Sequence, residues 1–249
     1  MGKTEVEALD AFVIEIAGFA IGVEPMFETT RHYCRDYLTD REPEYRVRVS
    51  REDLQREQSL LDIEADEEGL KRRKFPDPFL ERSVIQRRVA ESLIDQNVIL
   101  IHGSTVAVDG HAYLFTAACG TGKSTHTRLW REVYGDRAVM VNDDKPFIRF
   151  LNGEVLAYGS PWTGKHGLGS NVCYPLKGIC ILKRGQEDRI YRIAPDQARD
   201  MLQHQCFQPE DDDRIFLMVE QLMGRVALWE MECTRERSAA LTAWEAMSK

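Results

Sequence analysis

The chain has 249 residues, 43% of them hydrophobic and 30% charged, and this composition excludes a protein that is disordered along most of its length. The formal net charge of -8 disfavours nucleic acid as a partner, because an acidic surface repels the phosphate backbone. The longest apolar runs are far shorter than the roughly 20 residues that span a bilayer, and the first ten residues contain no apolar segment. We therefore expect no membrane partner, no secretory signal and a cytoplasmic location.

Residues 1–75 are expected to form a small α+β module. Its predicted elements, in chain order, are strands at 12–16 and 19–23, a helix at 26–38 and a strand at 45–49. Ser50 and Asp53 form a capping-box pattern, which predicts that a polar helix begins there. The stretch 62–78 changes from acidic to basic residues and ends in two prolines, so we interpret it as the linker to the second domain.

Residues 76–249 are expected to form a second, α/β domain. Asp77 and Pro78 have the residue types of a helix start, and the apolar residues that follow recur at three-to-four spacing. Asp109 and Gly110 predict a tight hairpin turn. The remaining predicted elements are strands at 98–101, 106–108, 113–116, 139–142, 147–150, 155–158, 178–182 and 190–193, and helices at 123–134, 195–205, 211–223 and 237–247.

A glycine-rich segment, AACGTGKS from Ala117 to Ser124, follows a predicted strand and opens a predicted helix, the context of a phosphate-binding loop. In such a loop, backbone N–H groups and the helix N-terminus face the phosphates of ATP. Lys123 is expected to reach the β- and γ-phosphates, and the Ser124 hydroxyl to bind Mg²⁺. Ala117 stands where the strict motif begins with glycine, and the alternative is a glycine-rich helix start with a chance Lys-Ser pair. The expected nucleotide-contacting residues are Cys119, Gly120, Thr121, Gly122, Lys123, Ser124 and Thr125.

Two adjacent acids, Asp143 and Asp144, close the apolar strand to which the Lys123 helix leads. Both carboxylates are therefore expected near the bound phosphates. Phosphoryl transfer uses one carboxylate on Mg²⁺, and a second can take the proton of an attacking hydroxyl. The alternative is a strand-end turn whose aspartates are solvent-exposed.

The order of these motifs resembles the HPr kinase/phosphorylase family and its wider relatives, the ATP-dependent phosphoenolpyruvate carboxykinases. A His102-Gly103 pair precedes the hairpin, GTGKST follows it, and the Asp-Asp pair closes the next strand, so the match covers roughly 98–182. The segment 165–169 looks like the family's Arg-Gly-Leu-Gly, with His166 in place of the arginine, and Gly164 stands where the family has an acidic metal-site residue. The resemblance implies a mixed-sheet α/β P-loop domain of the HPr kinase/carboxykinase type.

The same resemblance implies an ATP- and Mg²⁺-dependent kinase that phosphorylates a hydroxyl on a peptide, a small protein or a small molecule. It also implies that one aspartate acts as base while the other helps to bind the metal. We assign Asp143 as the base and Asp144, with Ser124, as the metal ligand. His102 is interpreted either as a phosphate contact or as a histidine satisfied at a strand end.

Lys165 and His166 lie in a glycine-rich segment, 159–170, that is long enough to close over a substrate. The alternative is an ordinary surface loop. For the whole chain, the alternative to a kinase is a non-catalytic protein that senses ATP, and the intact acid pair favours the kinase. A homo-oligomer is implied by the resemblance alone, since hexamers are common in the HPr kinase family.

Overall fold

Two β-sheets organise the residues that the computed structural model describes, which are 9–67, 69–209 and 213–249. The chain separates into two units, one up to Ser92 and the other from Leu93. The helix predicted to open the second domain, Asp77–Leu93, therefore lies almost wholly in the first unit. The domain division at 75/76 stays a prediction. None of the described helices is both long and apolar enough to span a membrane.

The described part of the first unit contains a three-stranded sheet and three α-helices. Its elements are β1 (Phe12–Ile16), β2 (Phe19–Glu24), α1 (Glu28–Tyr33), β3 (Tyr45–Arg48), α2 (Arg51–Glu67) and α3 (Asp77–Leu93). β1 and β2 form the predicted antiparallel hairpin, and β3 pairs with β2 in parallel. The capping box is confirmed, because the backbone N–H of Ser50 donates to Asp53 at 2.7 Å and that of Asp53 donates to Ser50 Oγ at 3.2 Å.

Two predictions for this unit are wrong in extent. The helix expected at 26–38 is limited to α1, because Cys34 leaves the helical conformation with φ of -90° and ψ of 7°. A short 3-10 turn, Arg35–Tyr37, follows it. The expected linker is helical as far as Glu67, since Glu64 near the end of α2 pairs with Arg87 of α3 at 2.5 Å. Glu68, also in that stretch, lies outside the described residues.

The second unit is built on a mixed sheet with helices on both faces. Its strands are β4 (Val98–Leu100), β5 (Ser104–Val108), β6 (His111–Thr116), β7 (Ala138–Asn142), β8 (Phe147–Leu151), β9 (Glu154–Tyr158), β10 (Cys173–Arg184), β11 (Arg189–Arg192) and β12 (Ala227–Cys233). Its α-helices among the described residues are α4 (Lys123–Tyr134), α5 (Pro195–Gln205), α6 (Arg214–Arg225) and α7 (Arg237–Met247). The strand order is β4-β8-β9-β10-β6-β5-β7, and β12 pairs with β10 and β11.

Strand directions bring four strand ends to one edge of this sheet. β10 is parallel to β6, whereas β5 is antiparallel to both β6 and β7. β7 therefore runs in the same direction as β6. As a result, the C-terminal ends of β6, β7 and β10 lie at the same edge as the N-terminal end of β5.

Alternating side chains bury both faces of the sheet. Along β6, Ala112 and Leu114 belong to the core under α5 and α6, and Tyr113 and Phe115 belong to the core under α4 and α7. This period-two alternation is what a strand between two helix layers requires. Chemistry-bearing residues are therefore concentrated at the strand ends.

Most predicted elements of this unit are confirmed, and α4, α5 and α7 have the predicted bounds. The helix expected at 211–223 begins at Arg214, while Asp211 and Asp212 lie outside the described residues. β12 was not predicted. Its sequence ALWEMEC places apolar residues next to acidic ones, which is a period-two signal that sequence reasoning could have used.

Candidate active site

The loop predicted to bind phosphate connects the end of β6 to the start of α4. Gly120 and Gly122 have φ angles of 72° and 126°, which other residues adopt only with strain. The buried Lys123 donates from Nζ to the carbonyl oxygen of Ala117 at 3.0 Å. Arg184, at the end of β10, donates to the carbonyl oxygen of Gly120 at 2.7 Å. Two side-chain cations thus hold the loop, and sequence analysis found only the lysine.

The other residues expected to contact nucleotide lie along the same loop and the first turn of α4. Cys119 and Gly120 are exposed, whereas Thr121, Gly122, Ser124 and Thr125 are half-buried. Their backbone N–H groups belong to a glycine-rich helix start, the arrangement that binds anions in proteins.

Asp143 follows β7 and is buried, with only 6% of its surface exposed. Its Oδ1 accepts a hydrogen bond from Ser104 Oγ at 2.7 Å, and the Ser124 hydroxyl lies close enough to influence the pKa of the carboxyl. Burial is the largest effect and raises the pKa of Asp143, whereas the hydroxyls of Ser104 and Ser124 and the nearby His166 lower it. The structure therefore brings Asp143, the loop serine and His166 together, and adds Ser104, which sequence analysis missed.

Asp144 faces a different set of partners. His102 Nε2 lies 3.3 Å from Asp144 Oδ1. Burial would raise the pKa of Asp144, but the His102 hydrogen bond and the charges of Lys145 and Lys123 outweigh it and lower the pKa. Burial lowers the pKa of His102, and Lys145 and Lys123 add to that effect, whereas Asp144 opposes it. Both shifts favour a neutral imidazole beside an ionised Asp144 carboxylate.

The turn that carries both aspartates is locked by Asn142. This fully buried side chain accepts hydrogen bonds from the backbone N–H groups of Asp144 at 2.8 Å and Lys145 at 2.6 Å. It also donates to the backbone oxygen and to Oγ of Ser160, both at 3.0 Å, and Ser160 Oγ donates to the carbonyl oxygen of Lys145 at 2.7 Å. An asparagine at a strand end is a known turn former, so its position before the acid pair was a usable signal.

The segment 159–170 runs beside the end of β7. The N–H of Asp143 donates to the carbonyl of Leu168 at 3.0 Å, and the N–H of Ser170 donates to that of Val141 at 3.2 Å. A Cβ on Gly159 would lie 1.8 Å from the carbonyl oxygen of Ser170, so only glycine permits this approach. Residues 168–170 cannot move without breaking these bonds. The closure expected of this segment stays a prediction, and it would have to involve the residues before 168.

The segment also contains a short 3-10 turn, Gly164–His166, on which Lys165 and His166 are exposed. Gly164 has a φ of 66°, and a Cβ there would lie 3.0 Å from Cβ of Asp144. Position 164 thus borders the acid pair. Because it is glycine, it contributes no carboxylate to the site.

The donor set at this edge suits Mg²⁺. Ser124, Asp143 and Asp144 offer hydroxyl and carboxylate oxygens, which Mg²⁺ prefers. Within 9–67, 69–209 and 213–249, no three or more His, Cys, Asp or Glu side chains gather as a metal site. Nucleotide sites bind Mg²⁺ through one or two carboxylates completed by substrate phosphates.

Comparisons with known proteins add little to this geometry. No protein-family model matches the chain, and no curated protein matches it. Among solved structures, the chain is similar to the Hpr(Ser) kinase/phosphatase from Coxiella burnetii, with 14% identity and a TM-score of 0.34. The match covers 57% of this chain and 84% of that one. So distant a likeness carries no argument about activity.

Proposed function

We propose that this chain is an ATP-dependent kinase that transfers the γ-phosphoryl group to a hydroxyl of a peptide, a small protein or a small molecule. The observation that carries the proposal is the meeting of Lys123, Ser124 and both aspartates at one edge of the sheet. Phosphoryl transfer requires a cation on the phosphates, ligands for Mg²⁺ and a carboxylate near the attacking hydroxyl. All three kinds of group are present here.

The loop and Lys123 are proposed to bind the β- and γ-phosphates of ATP. When ATP binds, Lys123 Nζ gives up its hydrogen bond to the Ala117 carbonyl and donates to phosphate oxygens instead. Ser124 and Asp144 are proposed to hold Mg²⁺, which neutralises charge on the phosphoryl group. His102, whose Nε2 lies 3.3 Å from Asp144 Oδ1, is proposed to keep that carboxylate oriented.

Asp143 is proposed to take the proton of the acceptor hydroxyl. The acceptor oxygen attacks the γ-phosphorus, a new P–O bond forms, and the bond to the β–γ bridging oxygen breaks. ADP leaves with the electron pair of that bond, and the hydroxyl proton passes to Asp143. The exposed His166 and Lys165 are proposed to meet the acceptor, because their turn borders the acid pair.

The experiment is to incubate the protein with ATP, Mg²⁺ and a panel of serine-containing peptides and small alcohols, and to measure the gain of one phosphoryl group by mass spectrometry. Asp143→Asn should lower the transfer rate by about 10²- to 10⁴-fold and leave ATP affinity unchanged, because a general base contributes to transfer alone. The matched control is Asp136→Asn, since Asp136 is exposed in the turn after α4. It should transfer at the wild-type rate.

Other results separate the alternatives. If Asp144→Asn keeps ATP binding and loses transfer, while Asp143→Asn loses Mg²⁺-dependent binding, the two roles are reversed. The nearness of the Ser124 hydroxyl to Asp143 is compatible with that reversed assignment. If no acceptor gains a phosphoryl group and Asp143→Asn binds ATP like the wild type, the kinase proposal fails. The chain is then the alternative, a non-catalytic ATP sensor.

A further inference from the structure

Ser104 is a fully buried serine whose hydroxyl touches two side chains of the site. It is the first residue of β5, and its exposed surface is 0%. Its Oγ lies 2.7 Å from Asp143 Oδ1 and 2.7 Å from Oγ1 of Thr127, which is also buried. Three elements of the fold therefore meet at one hydroxyl: β5, the end of β7 and α4.

The direction of these hydrogen bonds follows from the hydrogens available. A serine hydroxyl has one hydrogen, and an ionised carboxylate only accepts. Ser104 must therefore donate to Asp143, and Thr127 must donate to Ser104. The other acceptors near Thr127, the carbonyls of Lys123 and Ser124, are farther away at 3.5 and 3.4 Å.

This chain of hydroxyls links the acid to the loop. Thr127 lies on α4, the helix that begins at Lys123 directly after the loop. Ser104 is held in the sheet by its pairing with Phe115 of β6. The carboxylate of Asp143 is thereby oriented by two rigid elements, which is the arrangement that preorganised sites use.

We propose that Ser104 is a positioning residue that, with Thr127, holds the Asp143 carboxylate in the orientation that receives the acceptor proton. The inference rests on the proposed kinase function and deepens it. Ser104 touches neither acceptor nor nucleotide in this proposal. It acts through Asp143 alone.

Thr105 offers a matched control on the same strand. Like Ser104 it is fully buried in β5, but its Oγ1 has no hydrogen-bond partner among the described residues. Ser104→Ala and Thr105→Val each remove one buried hydroxyl from neighbouring positions. Only the first removes a hydrogen bond to Asp143.

The test measures kcat and the KM for ATP, using an acceptor that the wild type phosphorylates. Ser104→Ala should lower kcat by about 10- to 100-fold with an unchanged KM for ATP, because misorientation of a reacting group costs rates of this order. Thr105→Val should keep the wild-type kcat. In an Asp143→Asn background, Ser104→Ala should cause no further loss, since residues that act as a unit are not additive.

Thr127 provides a second, independent variant in case Ser104→Ala folds poorly. Thr127→Val removes the donor to Ser104 and should lower kcat, whereas Thr127→Ser keeps the hydroxyl and should restore it. The inference is overturned if Ser104→Ala and Thr105→Val have the same kcat. It is also overturned if Ser104→Ala lowers kcat by the same factor in the wild type and in the Asp143→Asn background. A wild type that transfers no phosphoryl group overturns the proposed function itself, which is a different result.

Discussion

The two segments that meet at the candidate site are held in opposite ways. The turn from Asn142 to Lys145 is fixed by buried hydrogen bonds in which side chains and backbone satisfy each other. The glycine-rich loop before α4 is partly exposed, and two long cationic side chains, those of Lys123 and Arg184, bond to its carbonyls. The carboxylates are thus preorganised, whereas the loop has bonds that a bound phosphate can replace.

This difference separates the expected effects of substitutions. Changes in the turn, or in the backbone packed beside it, should lower the free energy of unfolding. They leave polar groups without hydrogen-bond partners or force the two backbone segments apart. Changes in the loop should weaken nucleotide binding and leave the unfolding of the nucleotide-free protein little altered. Substitutions in the loop, in the turn and in the backbone packed against the turn test that separation.

Gly159→Ala should have the largest effect. Its Cβ would meet the Ser170 carbonyl at 1.8 Å and the Val141 carbonyl at 2.9 Å, so the backbone beside β7 must move. We expect a loss of roughly 2–4 kcal/mol in the free energy of unfolding, measured by denaturant titration. The control is Gly224→Ala in α6, where no atom lies within 4 Å, and it should not destabilise the protein.

Lys123→Ala should weaken ATP binding by about 100-fold, or about 2.7 kcal/mol, because it removes the loop's cation for the β- and γ-phosphates. The measurement is the shift in melting temperature with ATP and Mg²⁺, which the variant should lose. Equal shifts in variant and wild type would remove Lys123 from the nucleotide site. The melting temperature without nucleotide should change less than in Gly159→Ala.

Asn142→Ala should lower the free energy of unfolding by about 2 kcal/mol, because the N–H groups of Asp144 and Lys145, in a partly buried turn, lose their acceptor. Ser160→Ala removes a smaller part of the same network and should cost about half as much. Thermal or chemical unfolding of both variants gives the comparison. A stable Asn142→Ala protein would show that the turn does not depend on this side chain.

Arg184→Ala should have the smallest effect, a weakening of ATP binding by about three- to tenfold, because the hydrogen bond that it removes is exposed. Titration calorimetry with ATP and Mg²⁺ measures it. The matched control is Lys183→Ala, at the neighbouring position, where the side chain pairs with Glu230 instead of the loop. If the two variants bind ATP equally well, Arg184 does not support the loop.

Local sequence signals predicted much of this fold. Gly18, the Ser50 and Asp53 capping box, and the bounds of α4 are all set by residues close together in the chain. Turn and cap preferences are properties of short segments, so one sequence is enough to find them. The end of α2 was mispredicted because an ion pair with α3 extends it, and that pair joins residues far apart in sequence.

The candidate site divides in the same way. The sequence by itself determined the glycine-rich loop with Lys123 and Ser124 and the acid pair that follows β7, because each is a contiguous motif. Only the tertiary structure decided that Asp143 meets Ser104 and Thr127 while Asp144 meets His102. His102 lies between β4 and β5, Ser104 begins β5, and Thr127 lies on α4. The order and direction of the strands, with α4 packed on the sheet, bring these residues to one edge of the sheet.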